Sequence, residues 1–357
     1  MSVELDRSDL LEVLQKAKSA TEKRSALPVL NNFLITEKGG ELIVRATDLE
    51  SYLEIKAGEV SSSFTCLVNA DKLLGVVRGI NSTRVNFEID GQRLLVLGGR
   101  SKFKLALSDP EDFPDFPEPN FTNELRAVEL LNASQKVEHA ISKEDSRYAL
   151  QGLYIHGKGG TTRFVGSDGH RLALYKLEPE VNIGVILPRK GLRVLLALLK
   201  GEVGSVQIGH DDSFIHLQGQ DWRLSCRLLE GEYPDYDGVI PTNFNYEINL
   251  DRQELLECIK RLSVIAESSS FPIKLTFSQG KLYLEISDPE FGEGSDEMDA
   301  DSSSEKIEIG FNGKYLIDAL SEFSSQKVVF KLLDPDSPAV ISSEEEPFMC
   351  IIMPMRL

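Results

Sequence analysis

Glu41-Leu-Ile-Val-Arg-Ala-Thr-Asp48, Thr162-Arg-Phe-Val-Gly-Ser-Asp168 and Lys281-Leu-Tyr-Leu-Glu-Ile-Ser-Asp288 are one phrase written three times, with its aspartate recurring every 120 residues. Each is a strand-like run closed by a hydroxyl residue and an aspartate. Other landmarks keep the same beat. The leucine pairs Leu10-Leu11, Leu130-Leu131 and Leu255-Leu256 lie in helical patterns that precede each aspartate, and Lys72, Lys190 and Lys314 open a second helical pattern. Phe113-Pro114-Asp115-Phe116 and Tyr233-Pro234-Asp235-Tyr236 close the first two units alike. Periods of 20–50 residues mark solenoids, whereas this period is the size of a domain with its own core. Three similar domains are expected, over 1–120, 121–244 and 245–357.

A chain of 357 residues that is 41% hydrophobic and 27% charged has an ordinary globular composition. No apolar run approaches the roughly 20 residues that span a bilayer, and Met1-Ser-Val-Glu-Leu-Asp-Arg7 lacks the basic start and apolar core of a signal peptide. A cytoplasmic location is expected. Cys66, Cys226, Cys258 and Cys350 are scattered among apolar neighbours without a C-x-x-C pair, the pattern of buried free thiols. The net charge of −18 opposes polyanion binding over the chain as a whole, so the distribution of charge decides.

In the first unit Ser8–Lys18 carries apolar residues at 10, 11, 14 and 17, one face of a helix. Strand-like runs follow at 32–36, 41–45, 52–56 and 63–68. A second helix over 69–78 precedes further runs at 84–89, 93–97 and 102–107, with Asp90-Gly91 as a two-residue hairpin turn. Each unit is thus two rounds of helix plus strands, and the other helices fall at 127–143, 188–200, 251–262 and 312–324. Six helices against some two dozen strands imply an α+β fold with antiparallel sheets outside and helices on one shared side. Pro188–Lys200 stands apart in charge. Arg189, Lys190, Arg193 and Lys200 have no acid between them, so an acidic protein presents a basic helical face.

The repeat resembles the bacterial sliding clamp, the beta subunit of DNA polymerase III. The strings that carry the resemblance are Leu27-Pro-Val-Leu-Asn-Asn-Phe-Leu34, Ala46-Thr-Asp-Leu-Glu50, Arg147-Tyr-Ala-Leu-Gln-Gly152, Ser167-Asp-Gly-His-Arg-Leu-Ala173, Pro188-Arg-Lys-Gly191, Tyr233-Pro-Asp-Tyr236 and Met353-Pro-Met-Arg-Leu357. They run from end to end of the chain in the family's order. The resemblance implies three domains of the DNA-clamp fold, with helices lining a central hole in a head-to-tail dimeric ring. Such a ring is no enzyme and takes no cofactor. It encircles double-stranded DNA without sequence specificity and tethers the replicative polymerase, the clamp loader and other proteins through peptide motifs. The rival class is a repeat scaffold that binds proteins and not DNA.

Carried over residue by residue, the partner-peptide pocket would comprise Leu150, Ser167, Gly169, His170, Arg171, Leu172, Pro234, Gly238, Val239, Pro338, Ile351, Ile352, Met353, Pro354, Met355 and Arg356. Arg24, Lys72, Arg78, Tyr148, Arg189, Lys190 and Arg193 would face DNA. Phe103 and Leu105 would meet Val264 and Ile265 of a second copy. Ser167 and His170 also invite a catalytic reading, but residues so close in sequence seldom meet in triad geometry and no G-x-S-x-G elbow is present; a turn that satisfies its own backbone is the simpler expectation. Asp288–Glu305 carries eight acids among serines and glycines. It lacks the order of a calcium loop, and a solvated, mobile loop is expected there.

Overall fold

A computed structural model describes residues 2–22, 27–144, 147–268, 270–301 and 306–356. The first repeat runs β1 (Ser2–Asp6), α1 (Arg7–Lys18), β2 (Asn32–Lys38), β3 (Glu41–Thr47), β4 (Ser51–Glu59), β5 (Thr65–Asn69), α2 (Ala70–Gly79), β6 (Arg84–Asp90), β7 (Arg93–Gly98) and β8 (Ser101–Ser108). The second repeats that order as β9 (Asn123–Arg126), α3 (Ala127–Glu138), β10 (Gly152–Lys158), β11 (Thr161–Ser167), β12 (Arg171–Leu177), β13 (Gly184–Pro188), α4 (Arg189–Leu199), β14 (Ser205–His210), β15 (Phe214–Gln218) and β16 (Trp222–Arg227). The third is β17 (Tyr246–Asp251), α5 (Arg252–Leu262), β18 (Pro272–Ser278), β19 (Lys281–Asp288), β20 (Gly292–Asp299), β21 (Ile307–Asn312), α6 (Gly313–Glu322), β22 (Lys327–Leu332), β23 (Ala339–Ser343) and β24 (Glu346–Ile352). Every sheet is antiparallel.

The helices begin where polar side chains cap their free N–H groups. Asp6 accepts from the amides of Ser8 and Asp9, Asn69 from Lys72, Asp251 from Glu254 and Asn312 from Lys314. Leu10, Leu14 and Ala17 on α1 and Leu73 and Val77 on α2 are buried. α1 packs on α2 and on β3 and β4, while α5 packs on α6 and on β19 and β20. Each leucine so buried contributes about 1.5–3 kcal/mol of apolar transfer.

The chain forms two compact units, Met1–Leu131 with Lys190–Leu228 and Asn132–Arg189 with Leu229–Leu357. The division runs through the second repeat because its strands serve two neighbours. β16 pairs with β4, joining the first repeat in a twelve-stranded sheet, and β12 pairs with β24, joining the third in an eight-stranded sheet. β18 to β21 form a separate four-stranded sheet with β20 at its outer edge. Phe33, Phe64 and Phe87 fill the interior of the first unit, and Phe164, Phe277, Phe311 and Phe330 that of the second.

Several expectations are corrected. Ser2–Asp6, to which the sequence reading assigns no element, is a strand, its Val3 and Leu5 alternating inward opposite β6. The hairpin turn is Gly91-Gln92 between paired Asp90 and Arg93, with only Gly91 at positive φ (+56°). α3 stops at Glu138 rather than 143, because Ala140 and Ile141 close i→i+3 bonds and the Ser142 amide is taken by the carbonyls of Leu150 and Ser167. Among its described residues the acidic stretch is mainly strand and not loop. Gly292–Asp299 is strand β20, paired with β19 so that Glu293, Glu297 and Asp299 lie on its exposed face, while Met298 turns to the core and half-buried Asp296, on the same face as Met298, holds Arg261 at 2.7 Å. Residues 302–305 of that stretch lie outside the described ones. All four cysteines are buried free thiols, as expected.

The recurring aspartates share one job. Asp48 Oδ1 accepts the amides of Glu50 and Ser51, Asp168 Oδ1 those of His170 and Arg171, and Asp288 Oδ1 those of Glu290 and Phe291. In the first unit Asp48 does more, since its fully buried side chain also pairs with Lys190 Nζ at 2.6 Å. Replacing Asp48 with alanine is therefore expected to cost about 2–3 kcal/mol, from two unsatisfied amides and a lost partner for Lys190. Glu22→Ala, on the exposed side of the same lysine, should cost under about 1 kcal/mol. Urea denaturation showing equal losses would contradict this ranking.

Candidate functional site

Ten of the carried-over pocket residues, Leu150, Ser167, Gly169, His170, Arg171, Leu172, Pro234, Val239, Ile351 and Met353, line one mainly apolar cavity of about 150 Å³ in the second unit. Tyr233, Asp235 and Tyr236 complete it. The signal for these three was visible in the repeated Tyr-Pro-Asp-Tyr string, of which only Pro234 was taken. Gly238, Pro338, Ile352, Pro354, Met355 and Arg356 do not line the cavity. Ile352 is buried and paired with Ala339 and Arg171, and Met355 donates its amide to Gly310 at 2.8 Å. The tail thus leaves β24 along the cavity rim at Met353 and is then tied to the edge of β21.

Local chemistry explains the walls. Gly169 takes φ +84° at the turn, and a Cβ there would collide with the guanidinium of Arg147, which donates to the carbonyl of Asp168. The Ser167 hydroxyl donates to the Arg171 carbonyl at 2.8 Å and accepts from the Gly169 amide at 3.1 Å, so it serves the turn and is no nucleophile. Tyr233 stacks on Tyr154 at 4.7 Å, and Tyr154 on His156 at 4.5 Å. Arg163 donates to the Tyr236 hydroxyl at 3.0 Å, and that hydroxyl also bonds His156 Nε2 at 2.7 Å. Burial, reinforced by Arg163, holds the His156 pKa below its usual value, which favours the neutral ring.

Of the residues assigned to DNA, Arg24 lies outside the described ones. Lys72 and Arg78 are exposed on α2, Tyr148 is 55% exposed, Arg193 is exposed and Arg189 is half-buried. Lys190 is not unopposed. Asp48 and Glu22, remote in sequence, reach it at 2.6 and 3.0 Å. Exposed positions 190 and 193 still fall on one side of α4, opposite buried Leu192, Leu195 and Leu199, and exposed Lys200 directly follows the helix. Phe103 is 38% exposed on β8 and Val264 83% exposed in the turn after α5, with Leu105 and Ile265 half-buried.

Comparison with known proteins decides the family. Models of the DNA polymerase III beta subunit match its N-terminal domain to residues 1–117, its central domain to 124–235 and its C-terminal domain to 237–356. The beta sliding clamp of Pseudomonas aeruginosa is 31% identical over 367 residues, and that of Caulobacter vibrioides 30% over 372, both across the full length of each chain. The chain belongs to the beta sliding clamp family. A Bartonella birtlesii clamp bound to griselimycin superposes with a TM-score of 0.94, and the Pseudomonas aeruginosa subunit with 0.93, each 30% identical over the whole of both chains. The protein is accordingly a DNA sliding clamp, a processivity factor and not itself an enzyme.

Behind the cavity of this clamp lies a cluster of titratable groups. β24 presents Ile351 to the cavity, whereas its Cys350 Sγ stands 4.0 Å from His139 Nε2. His139 Nδ1 donates to the Lys136 carbonyl, and Lys136 bonds Glu346 and the carbonyl of Glu322. Burial lowers the His139 pKa to about 4, and burial raises that of Glu322 to about 7 against the pull of Lys136. The two act in opposite directions. Glu322 supports the fold fully below its ordinary pKa of 4.5, and that support is lost as pH rises toward 7. Support involving neutral His139 is complete above 6.5 and is lost as pH falls toward 4. Between pH 4.5 and 6.5 they offset each other. Glu322→Gln should make stability rise more steeply with pH across that window than in wild type, and His139→Gln should make it fall. Each change of slope is at most about 1.4 kcal/mol per pH unit, and less for partly solvated Glu322. Urea midpoints with slopes identical to wild type would refute this.

Proposed function

We propose that this clamp closes with a second copy, head to tail, into a ring around duplex DNA, built from domains 1–120, 121–244 and 245–357 of each chain. The observation that carries the reading is the equivalence of strand edges. β4, β12 and β20 occupy one place in the repeat, and β16, β24 and β8 another. Within the chain β4 pairs with β16 and β12 with β24. β20 is left as a sheet edge, and β5 covers only Leu107 and Ser108 of β8. Open edges of this kind invite pairing with another chain. Their charges are complementary: β20 carries Glu293, Asp296, Glu297 and Asp299, and β8 carries Lys102 and Lys104. Phe103 and Leu105 against the partner's Val264 and Ile265 supply the apolar part.

Lys72, Arg78, Tyr148, Arg189 and Arg193 would touch DNA loosely, since non-specific phosphate contacts permit sliding. The clamp would act in the cytoplasm. On nicked circular DNA the wild type should be retained, and it should leave linear DNA by sliding off its ends. Val264→Asp with Ile265→Asp should yield monomers that are retained on neither. Equal retention of the wild type on circular and linear DNA, measured by gel filtration, would overturn the ring.

The cavity would receive peptide segments of the replicative polymerase, the clamp loader and other partners. Its apolar lining and methionine rim suit a site that accepts varied side chains. Two relatives carry griselimycin, which makes that compound a direct probe. Deleting Met353–Leu357 should abolish griselimycin binding in calorimetry while the dimer persists; unchanged affinity would place the site elsewhere.

A further inference from the structure

At the first internal junction the turn aspartate of one repeat meets the helix-opening lysine of the next directly, Asp48 to Lys190 at 2.6 Å. At the second junction the equivalent residues are Asp168 and Lys314, and two further charges stand between them. Asp168 Oδ2 holds Arg171 Nε at 3.0 Å, Arg171 Nη1 reaches Asp318 Oδ2 at 2.8 Å, and the other carboxylate oxygen of Asp318 takes Lys314 Nζ. Arg171 stands where the first repeat has Ser51, and Asp318 where α4 has buried Val194. The Tyr315 ring covers the guanidinium, its centroid 4.4 Å from Cζ.

The consequence concerns the cavity. Arg171 is a cavity wall, whereas Asp318 and Tyr315 are not among its lining. The Arg171 side chain is only 10% exposed, so its position follows from the groups that grip it. Asp168 lies in the same turn and moves with Arg171. Asp318, on α6, is the carboxylate that ties Arg171 to another element. A long, flexible side chain held at both ends by charge and capped by a ring loses little further freedom when a ligand packs on it.

We propose that Asp318 is a positioning residue for the partner-peptide pocket, setting the Arg171 wall from α6 without touching the ligand. This rests on the reading of the cavity as that pocket. Lys314 belongs to the same chain of charges, since neutralising it leaves Asp318 to Arg171 alone.

The test is a double-mutant cycle on the full-length clamp, with griselimycin binding measured by isothermal titration calorimetry. Asp318→Asn, nearly isosteric, should weaken binding about tenfold, the scale expected when one partner of a buried charge pair is removed. Arg171→Gln should weaken it at least as much. In the Arg171→Gln background Asp318→Asn should have no further effect, because its action passes through Arg171. A merely structural role would instead give losses that multiply. Asp318→Asn binding like wild type, or multiplicative losses, would overturn the proposal. Should Asp318→Asn fail to fold, Tyr315→Leu decides: several-fold weakening supports the clamped guanidinium, and wild-type affinity refutes it. A wild-type protein that does not bind griselimycin at all would refute the pocket reading itself, and this inference with it.

Discussion

An unpaired strand edge carries a row of backbone donors and acceptors that must find partners, and the architecture follows from where those partners come from. Each repeat holds two strands, the fourth and the eighth, whose outer edges its own sheet leaves wholly or largely uncovered. The chain answers twice internally, β4 with β16 and β12 with β24. The compact units consequently cut across the repeats, and the second repeat is shared between both. A three-fold repeat that satisfies two junctions leaves one of each edge, and an open sheet edge is a template for a further strand.

The two internal junctions are built alike but differ in chemistry. At the second, Val165, Leu172, Leu174, Tyr236 and Ile351 form an apolar cluster beside the cavity. At the first, the corresponding positions include Arg45, Tyr52, Glu54 and Phe116, lining a space of about 350 Å³. Arg45 and Glu54 pair across it at 2.5 Å, with the Arg45 guanidinium over Phe116. Apolar ligand atoms gain free energy by leaving water only where the wall is apolar too. The same backbone therefore makes an apolar binding cavity once and a charged surface once.

A sliding clamp has to hold DNA without gripping it, and its charge agrees with that need. The net charge of −18 is an average over a surface whose bases are locally concentrated, as on the exposed side of α4. Lys190 is the instructive member. Two acids temper it, which fastens α4 to the turn at Asp48 and reduces what it offers a phosphate.

The order of elements, the helix faces and the turn aspartates were legible in the sequence because each depends on neighbours within a few residues: i, i+3, i+4 spacing for α1 and α2, capping by Asp6 or Asn69, Asx-type bonds at Asp48, Asp168 and Asp288. The resemblance supplied most of the cavity wall, but not Tyr233, Asp235 or Tyr236. The acidic stretch misled, because glycine, serine and acid look like loop until β19 presents a partner edge with its register. Tertiary structure alone decided that Lys190 meets Asp48, that Arg171 is held by Asp318 and that β16 joins β4. Those contacts link residues more than a hundred positions apart, and strand register across such a separation is set by the packed whole and not by any local run of the chain.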